Sequence, residues 1–284
     1  MHTPREALPH GVVLAATPLG NPADASERLK FALASAPVIA SEDTRRTKAL
    51  AQALGVEITG KIISNFDHNE AARVEQLLDL ARHGTVLVVT DAGMPIVSDP
   101  GLPLVAAAHD AEIPVTCIPG PSAVTTALAL SGLGVGKFIF DGFAPRKNGQ
   151  RRVWLDSLLS EQRAVCFFES PHRIAETLAV AAEVLGEDRR AAVARELTKT
   201  YEEVRRGSLG ELAQWAQQGL RGEITVVLEG AEQQTAKPED LLGQVSALVE
   251  AGVRLKDAAG QVAQANKASK KQLYDAFLAY KSEG

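Results

Sequence analysis

The stretch that most constrains the fold is TVLVVTDAGMPIVSDPG, residues 85–101. Its first part, Val86–Thr90, is a short apolar, β-branched run bounded by Gly84 and Asp91, which is the pattern of a strand buried on both faces. Its second part cannot be regular structure, because Pro95 and Pro100 lack a backbone donor, Gly93 and Gly101 permit positive φ, and Asp91, Ser98 and Asp99 favour local turns. A helix is expected from Leu102, with Asp99 as its cap and Pro100 as its first residue. A plain connection of this kind runs two to six residues, so a loop of about ten at the carboxyl end of a strand points to a ligand site.

The same alternation precedes and follows this stretch. Residues 12–16, 38–41 and 62–64 read as strands, and helices are expected from Ser26, Thr44 and Asn69, which together imply a parallel sheet with right-handed crossovers. The turn after the first strand, Thr17–Pro22, stands where a Rossmann protein carries GxGxxG, but the glycines are absent and a dinucleotide is disfavoured. Ser41–Thr47 (SEDTRRT) follows the second strand. Helix capping explains its acids but not Arg45 and Arg46 at the positive end of the dipole, which suit an anionic or hydroxyl-rich substrate. After the strand 114–118, Pro119–Ala123 (PGPSA) opens a helix at Ser122, and this loop and the one at 91–101 are expected to form two walls of one pocket at neighbouring strand ends. The helix stops at a cluster of Gly132, Gly134 and Gly136, taken as a hinge.

Beyond the hinge the helices are too few for every strand pair to be parallel, so a mixed sheet is expected from the strands near 137–143, 164–169, 191–196, 201–206 and 223–229. Residues 144–152 hold four basic residues in the seven positions from Arg146 to Arg152, which reads either as a solvated loop tip or as a contact to a phosphate backbone. Residues 233–238 form a polar linker, followed by three short amphipathic helices in a helix-turn-helix-like unit with Lys267, Lys270 and Lys271 at its turn. The expected division is therefore 9–133, a parallel α/β domain; 134–232, a mixed α/β domain; and 233–284, a helical module.

A formal net charge of −5 argues against wholesale coating of nucleic acid but leaves room for a local basic patch. The two cysteines, Cys117 and Cys166, fall inside strands and read as small buried hydrophobes of a reducing compartment. The six histidines show no metal-ligand spacing, so no metal is expected. With no signal peptide and no long apolar span, a cytoplasmic protein without membrane contact is expected.

Taken together, TPLGNPAD, SEDTRRT, TDAGMPIVSDPG, PGPSA, FESPHR and RELTK, in this order, resemble the tetrapyrrole-methylase-like (class III) methyltransferases. Within that superfamily they look like the bacterial enzymes that methylate the ribose 2′-hydroxyl of a decoding-centre cytidine in 16S rRNA. The resemblance implies two α/β domains with S-adenosylmethionine in the cleft between them, a homodimer, and the small ribosomal subunit as partner. It places the cofactor against Asp91, Ala92, Gly93, Pro95, Ile96, Val97 and Ser98, with Ser122 and Ala123 opposite. The tetrapyrrole enzymes carry a glycine-rich first loop, and its replacement here by Ala16–Pro22 counts against a tetrapyrrole substrate.

A ribose hydroxyl needs a proton acceptor and fixed phosphates rather than a covalent nucleophile. Glu42, Asp43, Arg45, Glu196 and Lys199 are the catalytic candidates, with Glu169 as a further carboxylate. Arg146, Lys147, Arg151, Arg152, Arg173 and Arg195 are the substrate-binding candidates. Aromatic residues make up only 5% of the chain, which leaves few stacking platforms for a base and favours the ribose. Two other readings stand beside this one: a methyltransferase of the same fold acting on a tetrapyrrole or other small molecule, and a non-catalytic ribosome-associated binding protein.

Overall fold

The computed structural model describes residues 7–66, 70–232, 237–266 and 268–283. Asn69 and Lys267, named above at a helix start and at a turn, lie outside the described residues, as do residues 233–236 of the linker. Residues up to Ala231 form one compact unit that contains two five-stranded sheets, and residues from Glu232 form another.

The first sheet contains β1 (Gly11–Ala15), β2 (Val38–Ser41), β3 (Lys61–Ser64), β4 (Thr85–Val89) and β5 (Val115–Ile118). All pairs are parallel, in the order β3-β2-β4-β1-β5. Between the strands run α1 (Glu27–Ser35), α2 (Thr44–Ala53), α3 (Glu70–His83) and α4 (Leu102–Asp110), and after β5 comes α5 (Ala123–Ser131). Every residue of β4 is buried, as its unbroken apolar run requires of a strand covered on both faces. Ser26 caps α1 and Asp43 caps α2, each accepting a backbone N–H through its side chain. The start of α4 differs from expectation. Gly101 is its N-cap, at φ 125°, and Pro103 sits in its first turn; the Glu70 carboxylate accepts the Gly101 N–H at 2.8 Å, a tertiary contact that overrides the local Asp-Pro signal.

The strand order also corrects the expectation that the loops after β4 and β5 leave neighbouring strands, because β1 lies between them. The chain moves to one side of β1 for β2–β4 and to the other for β5, so the loop after β1 lies at the topological switch point where α/β sheets open a crevice.

The second sheet contains β6 (Phe138–Phe143), β7 (Ala164–Glu169), β8 (Arg190–Arg195), β9 (Glu203–Ser208) and β10 (Ile224–Leu228), in the order β6-β7-β10-β8-β9. It is mixed as expected: β6–β7 is parallel and the other three pairs are antiparallel. β10, last in sequence, occupies the centre, which explains why all five of its residues are buried.

Three helices accompany this sheet: α6 (Asn148–Ser157), α7 (Ile174–Leu185) and α8 (Leu209–Ala216). Ser208 and Glu211 form a reciprocal capping box at the start of α8. α6 was not expected, since its basic residues disguise a helix whose buried face is Arg151 and Leu155.

The core of this half includes Phe167, Ile174 and Leu178, each fully buried, and burying a side chain of this size stabilises by roughly 1.5–3 kcal/mol. α5 follows the first sheet in sequence but packs on the second, its Val124, Ala127 and Leu128 against Cys166, Ala192 and Val227. The two sheets are thereby locked into one body.

The second unit consists of α9 (Pro238–Glu250), α10 (Leu255–Ala265) and α11 (Lys270–Glu283) around Val245, Ala259, Val262, Leu273 and Phe277. The ammonium end of Lys270 lies against Gly260 of α10.

Candidate active site

The loop after β4 is held in an unusual shape. Ile96 and Ser98 adopt φ of 76° and 68°, conformations that a β-branched or serine side chain rarely takes and that persist where surrounding structure over-determines them. Gly93, at φ 86°, exchanges two backbone hydrogen bonds with Thr17 of the loop after β1, at 2.9 and 3.0 Å. A Cβ on Gly93 would stand 3.1 Å from the Leu19 side chain. Glycine is thus required both by φ and by the close approach of the two loops.

These loops form one side of a cleft of about 360 Å³, within the range of small-ligand sites. Asp91, Ala92, Gly93, Val97, Ser98, Ser122 and Ala123, all expected to contact a cofactor, line it. Pro95 and Ile96 do not: Pro95 is buried, and the Ile96 side chain is directed beneath the loop toward Gly101.

The opposite side comes from the second sheet, through Phe143, Phe168, Glu169–Pro171 and Gly222–Thr225. Because β10 runs antiparallel to both neighbours, its first residue, Ile224, pairs with Glu169 at the end of β7 and Arg195 at the end of β8. Phe168 is wedged edge-on between Phe140 and Phe143, with centroids 5.0 and 5.4 Å away, which gives the cleft an apolar aromatic wall.

The lining charge is lopsided. Glu42, Asp91, Asp99, Glu169 and Glu223 are acidic, and Arg46 is the one basic lining residue among the described residues. Glu42 accepts the Thr90 hydroxyl (2.6 Å) and the Asp91 N–H (3.1 Å), both on Oε2, while Oε1 has no hydrogen-bond partner among the described residues. Asp91 accepts the Asp43 N–H through Oδ1 at 3.2 Å, and Arg46 lies 3.4 Å from Oδ2. Burial, and then the neighbouring Glu42 charge, raise the Asp91 pKa above the usual aspartate value, with Arg46 opposing.

Glu169 is buried beneath the rim. It accepts the Ser170 N–H (2.6 Å) and the Thr177 hydroxyl (2.6 Å), and it pairs with Arg173 at 2.5 Å. Arg173 also donates to the Ala144 carbonyl. The FESPHR segment is therefore a rigid bracket for the cleft wall.

The remaining catalytic candidates sit elsewhere. Asp43 is tied to its own helix and to Arg45, whose guanidinium holds the Asp43 pKa down at about 2; Arg45 itself projects into solvent, and Arg46 takes the place expected for it. Glu196 and Lys199 do not line the cleft but build its rim. Lys199 Nζ donates to Glu196 (2.9 Å) and Glu223 (3.1 Å), and Glu196 also accepts the Glu223 N–H (3.1 Å). Burial works against the Lys199 charge, but the two carboxylates outweigh it and raise its pKa, while the Lys199 bond lowers that of Glu196. Asn21 of the first loop donates to Thr198, so this rim joins the two sheets.

The basic run 144–152 is corrected at Arg151. Arg146 and Lys147 are exposed, but Arg151 is fully buried in α6, 2.5 Å from Glu176 and donating to Thr177, and Arg152 pairs with Glu183. Arg151 cannot reach a bound phosphate, because its position on the inner face of α6 directs it into the core. Arg195 pairs with Glu203 at 2.7 Å.

Cys166 is buried, which pushes its pKa up to about 12, and Cys117 is also raised by burial; both lie within strands. Among the described residues no cluster of three metal-ligating side chains occurs.

Phe143, Phe168 and Gly222–Thr225 escaped sequence reasoning. Only the opposed direction of β10, invisible in a strand-like EITVVLE, brings its start to the cleft.

Comparison with known proteins agrees with this fold. The methyltransferase CobJ superposes with a TM-score of 0.60 at 18% identity, over 78% of this chain and 95% of its own. The uroporphyrin-III C-methyltransferase of Thermus thermophilus, solved with S-adenosyl homocysteine, gives 0.53 at 17% identity, over 77% and 97%. At these identities the likeness is one of fold. The chain is 56% identical to the ribosomal RNA small subunit methyltransferase I of Mycobacterium bovis across 96% of both chains. Residues 11–213 match the model of the tetrapyrrole (corrin/porphyrin) methylases, and the chain belongs to that family, in the group of the ribosomal RNA small subunit methyltransferase I proteins.

Proposed function

We propose that the protein is an S-adenosylmethionine-dependent methyltransferase that modifies the ribose 2′-hydroxyl of a decoding-centre cytidine in 16S rRNA, with the small ribosomal subunit as substrate and a homodimer as the working form. The observation that carries this reading is the 56% identity, over 96% of both chains, to a ribosomal RNA small subunit methyltransferase I. The cleft chemistry supports the cofactor. An acidic lining beside apolar and aromatic walls suits a sulfonium cation joined to an uncharged nucleoside, and it repels the phosphates of a dinucleotide. Asp91, Ala92, Val97, Ser98, Ser122 and Ala123 would hold the cofactor, which supplies the methyl group.

The chain's own contribution is to orient the acceptor and accept a proton. Of the carboxylates weighed from sequence, Glu42 has the better position: it lines the cleft, Thr90 and the Asp91 N–H fix one oxygen, and the other is left for the ribose hydroxyl. A positioned acid–base group of this kind contributes about 10²–10⁴ in rate. Asp43 and Glu196 are committed to Arg45 and Lys199. Alignment of hydroxyl, methyl and sulfur within rigid walls provides the remaining advantage without a covalent intermediate.

The test is incubation with labelled S-adenosylmethionine and undermethylated small subunits, followed by alkaline hydrolysis of the RNA. Label in an alkali-resistant dinucleotide is expected; label at an alkali-cleaved nucleotide or in a small molecule overturns the assignment. Glu42→Gln should retain cofactor affinity within about tenfold while single-turnover methylation falls by at least about a hundredfold.

A further inference from the structure

A second depression lies behind the rim of the cleft. Its lining includes Arg195, Arg205 and Arg221, the carboxylates Glu196 and Glu203, and the rings of Tyr201 and Trp215. One short segment separates it from the active site: Gly219–Arg221 face the depression, and Gly222–Thr225 face the cleft. The chain thus passes from one hollow to the other within a few residues, over the strut that Lys199, Glu196 and Glu223 form.

This hollow carries three arginines where the cleft carries one, and its two carboxylates are already engaged, Glu203 by Arg195 and Glu196 by Lys199. Arg205 is exposed, and its guanidinium carbon lies over the Trp215 ring, 5.1 Å from the centroid. Neither Arg205 nor Arg221 has an ion-pair partner among the described residues, whereas the neighbouring Arg195 is held by Glu203. Tyr201 is 73% exposed, an aromatic face presented to solvent beside these charges. Charges on β9 also protect an exposed sheet edge from pairing, but that role needs no hollow, no exposed aromatic ring and no continuity with an active site.

We propose that this depression is the docking groove for the single-stranded RNA that flanks the target nucleotide, with Arg205 and Arg221 on phosphates and Tyr201 stacked on a base. The inference rests on the RNA-methyltransferase reading above and extends it to a surface. An acidic cleft repels a phosphate backbone, so the strand requires a cationic path up to the rim, and the hollow next to Gly222–Glu223 provides one. Arginine forks with a stacking ring are the usual means of gripping single strands with little regard to sequence.

The test uses the full-length protein and a 16S rRNA fragment spanning the decoding region, with affinity measured as a function of salt. Arg205→Gln/Arg221→Gln should lower the log–log salt slope by about 0.7 for each phosphate that is no longer neutralised, and the Lys counterparts should restore most of it. Tyr201→Ala should weaken binding about tenfold with the slope unchanged. Cofactor affinity, measured by calorimetry, and melting temperature should stay at wild-type values in all of them. Unaltered RNA affinity and slope in folded variants would overturn the groove. A shift from dimer to monomer in sedimentation with an unaltered slope would overturn it too, by assigning the face to self-association. The wild-type labelling assay separates the two levels: if the wild type methylates RNA and the variants bind RNA normally, the groove alone fails, whereas a wild type that labels no RNA removes the reading on which it rests.

Discussion

Gly20, in the loop that leaves β1, lies directly beneath the aliphatic chain of Lys199, in the loop that leaves β8, so closely that a Cβ at position 20 would overlap Lys199 Cγ. Lys199 can bridge Glu196 and Glu223 only because residue 20 has no side chain. Gly20→Ala should therefore lift the lysine off its carboxylates and cost about 1–3 kcal/mol, read as a lower melting temperature together with slower methylation. An unchanged melting temperature at pH 7 would show that the rim carries no strain. The effect has a pH signature. Bonding to Lys199 depresses the Glu196 pKa in the folded state, so its stabilisation is complete above the ordinary glutamate range and is lost as pH falls through the depressed value. The difference between wild type and variant should shrink on that acid side.

Asp91 behaves in the reverse sense. Its pKa is raised by burial and by Glu42, so it takes up a proton at a pH above the usual aspartate value. A cationic cofactor then loses an attractive charge, and its affinity should fall on mild acidification. Asp91→Asn should bind more weakly at neutral pH and lack that titration. Calorimetric titrations across the acid range measure both effects; parallel pH curves for the two proteins would remove Asp91 from the cofactor site.

Gly93→Val should abolish detectable cofactor binding while leaving a folded protein. A β-branched residue resists φ 86°, and its Cβ would press on Leu19 and open the paired hydrogen bonds to Thr17. The strain falls on two loops at the carboxyl ends of β1 and β4 rather than within the strands, so circular dichroism should remain that of the wild type. Full affinity in the variant would show that the loop shape is not needed.

Arg151→Ala should destabilise by about 2–3 kcal/mol, because it removes a fully buried guanidinium from Thr177 and Glu176 and leaves a void behind α6. Arg146→Ala/Lys147→Ala, at exposed positions of the same run, should leave stability within about 0.5 kcal/mol of wild type in denaturant titrations. Equal effects of the two changes would contradict the placement of α6.

What the sequence made legible was whatever depends on local pattern. The parallel sheet followed from strands alternating with helices, the mixed sheet from a shortage of helices, and the loop that lines the cleft from prolines and glycines at a strand end. Ser122 and Ala123 were legible as the opening of a helix on the far side of that loop. What stayed hidden depends on strand order and on which helix face turns inward. Phe168 and Gly222–Thr225 reach the cleft only through the reversed β10, and Arg151 looked like a solvent-facing charge until α6 turned it toward Thr177. Arg45 and Arg46 are adjacent in sequence, and the turn of α2 decides which of them meets Asp91.

The central place of β10 also bears on the order in which a growing chain can be completed. β7 and β8 have no direct pairing with each other, and both wait for residues 224–228. During synthesis the first sheet can assemble once about 120 residues have emerged, whereas the second holds two unpaired inner edges from the completion of β8 at Arg195 until β10 begins at Ile224. The cleft, with one wall on each sheet, is accordingly among the last features to form, and a chain stopped before residue 224 would display sticky edges where the finished protein has its floor.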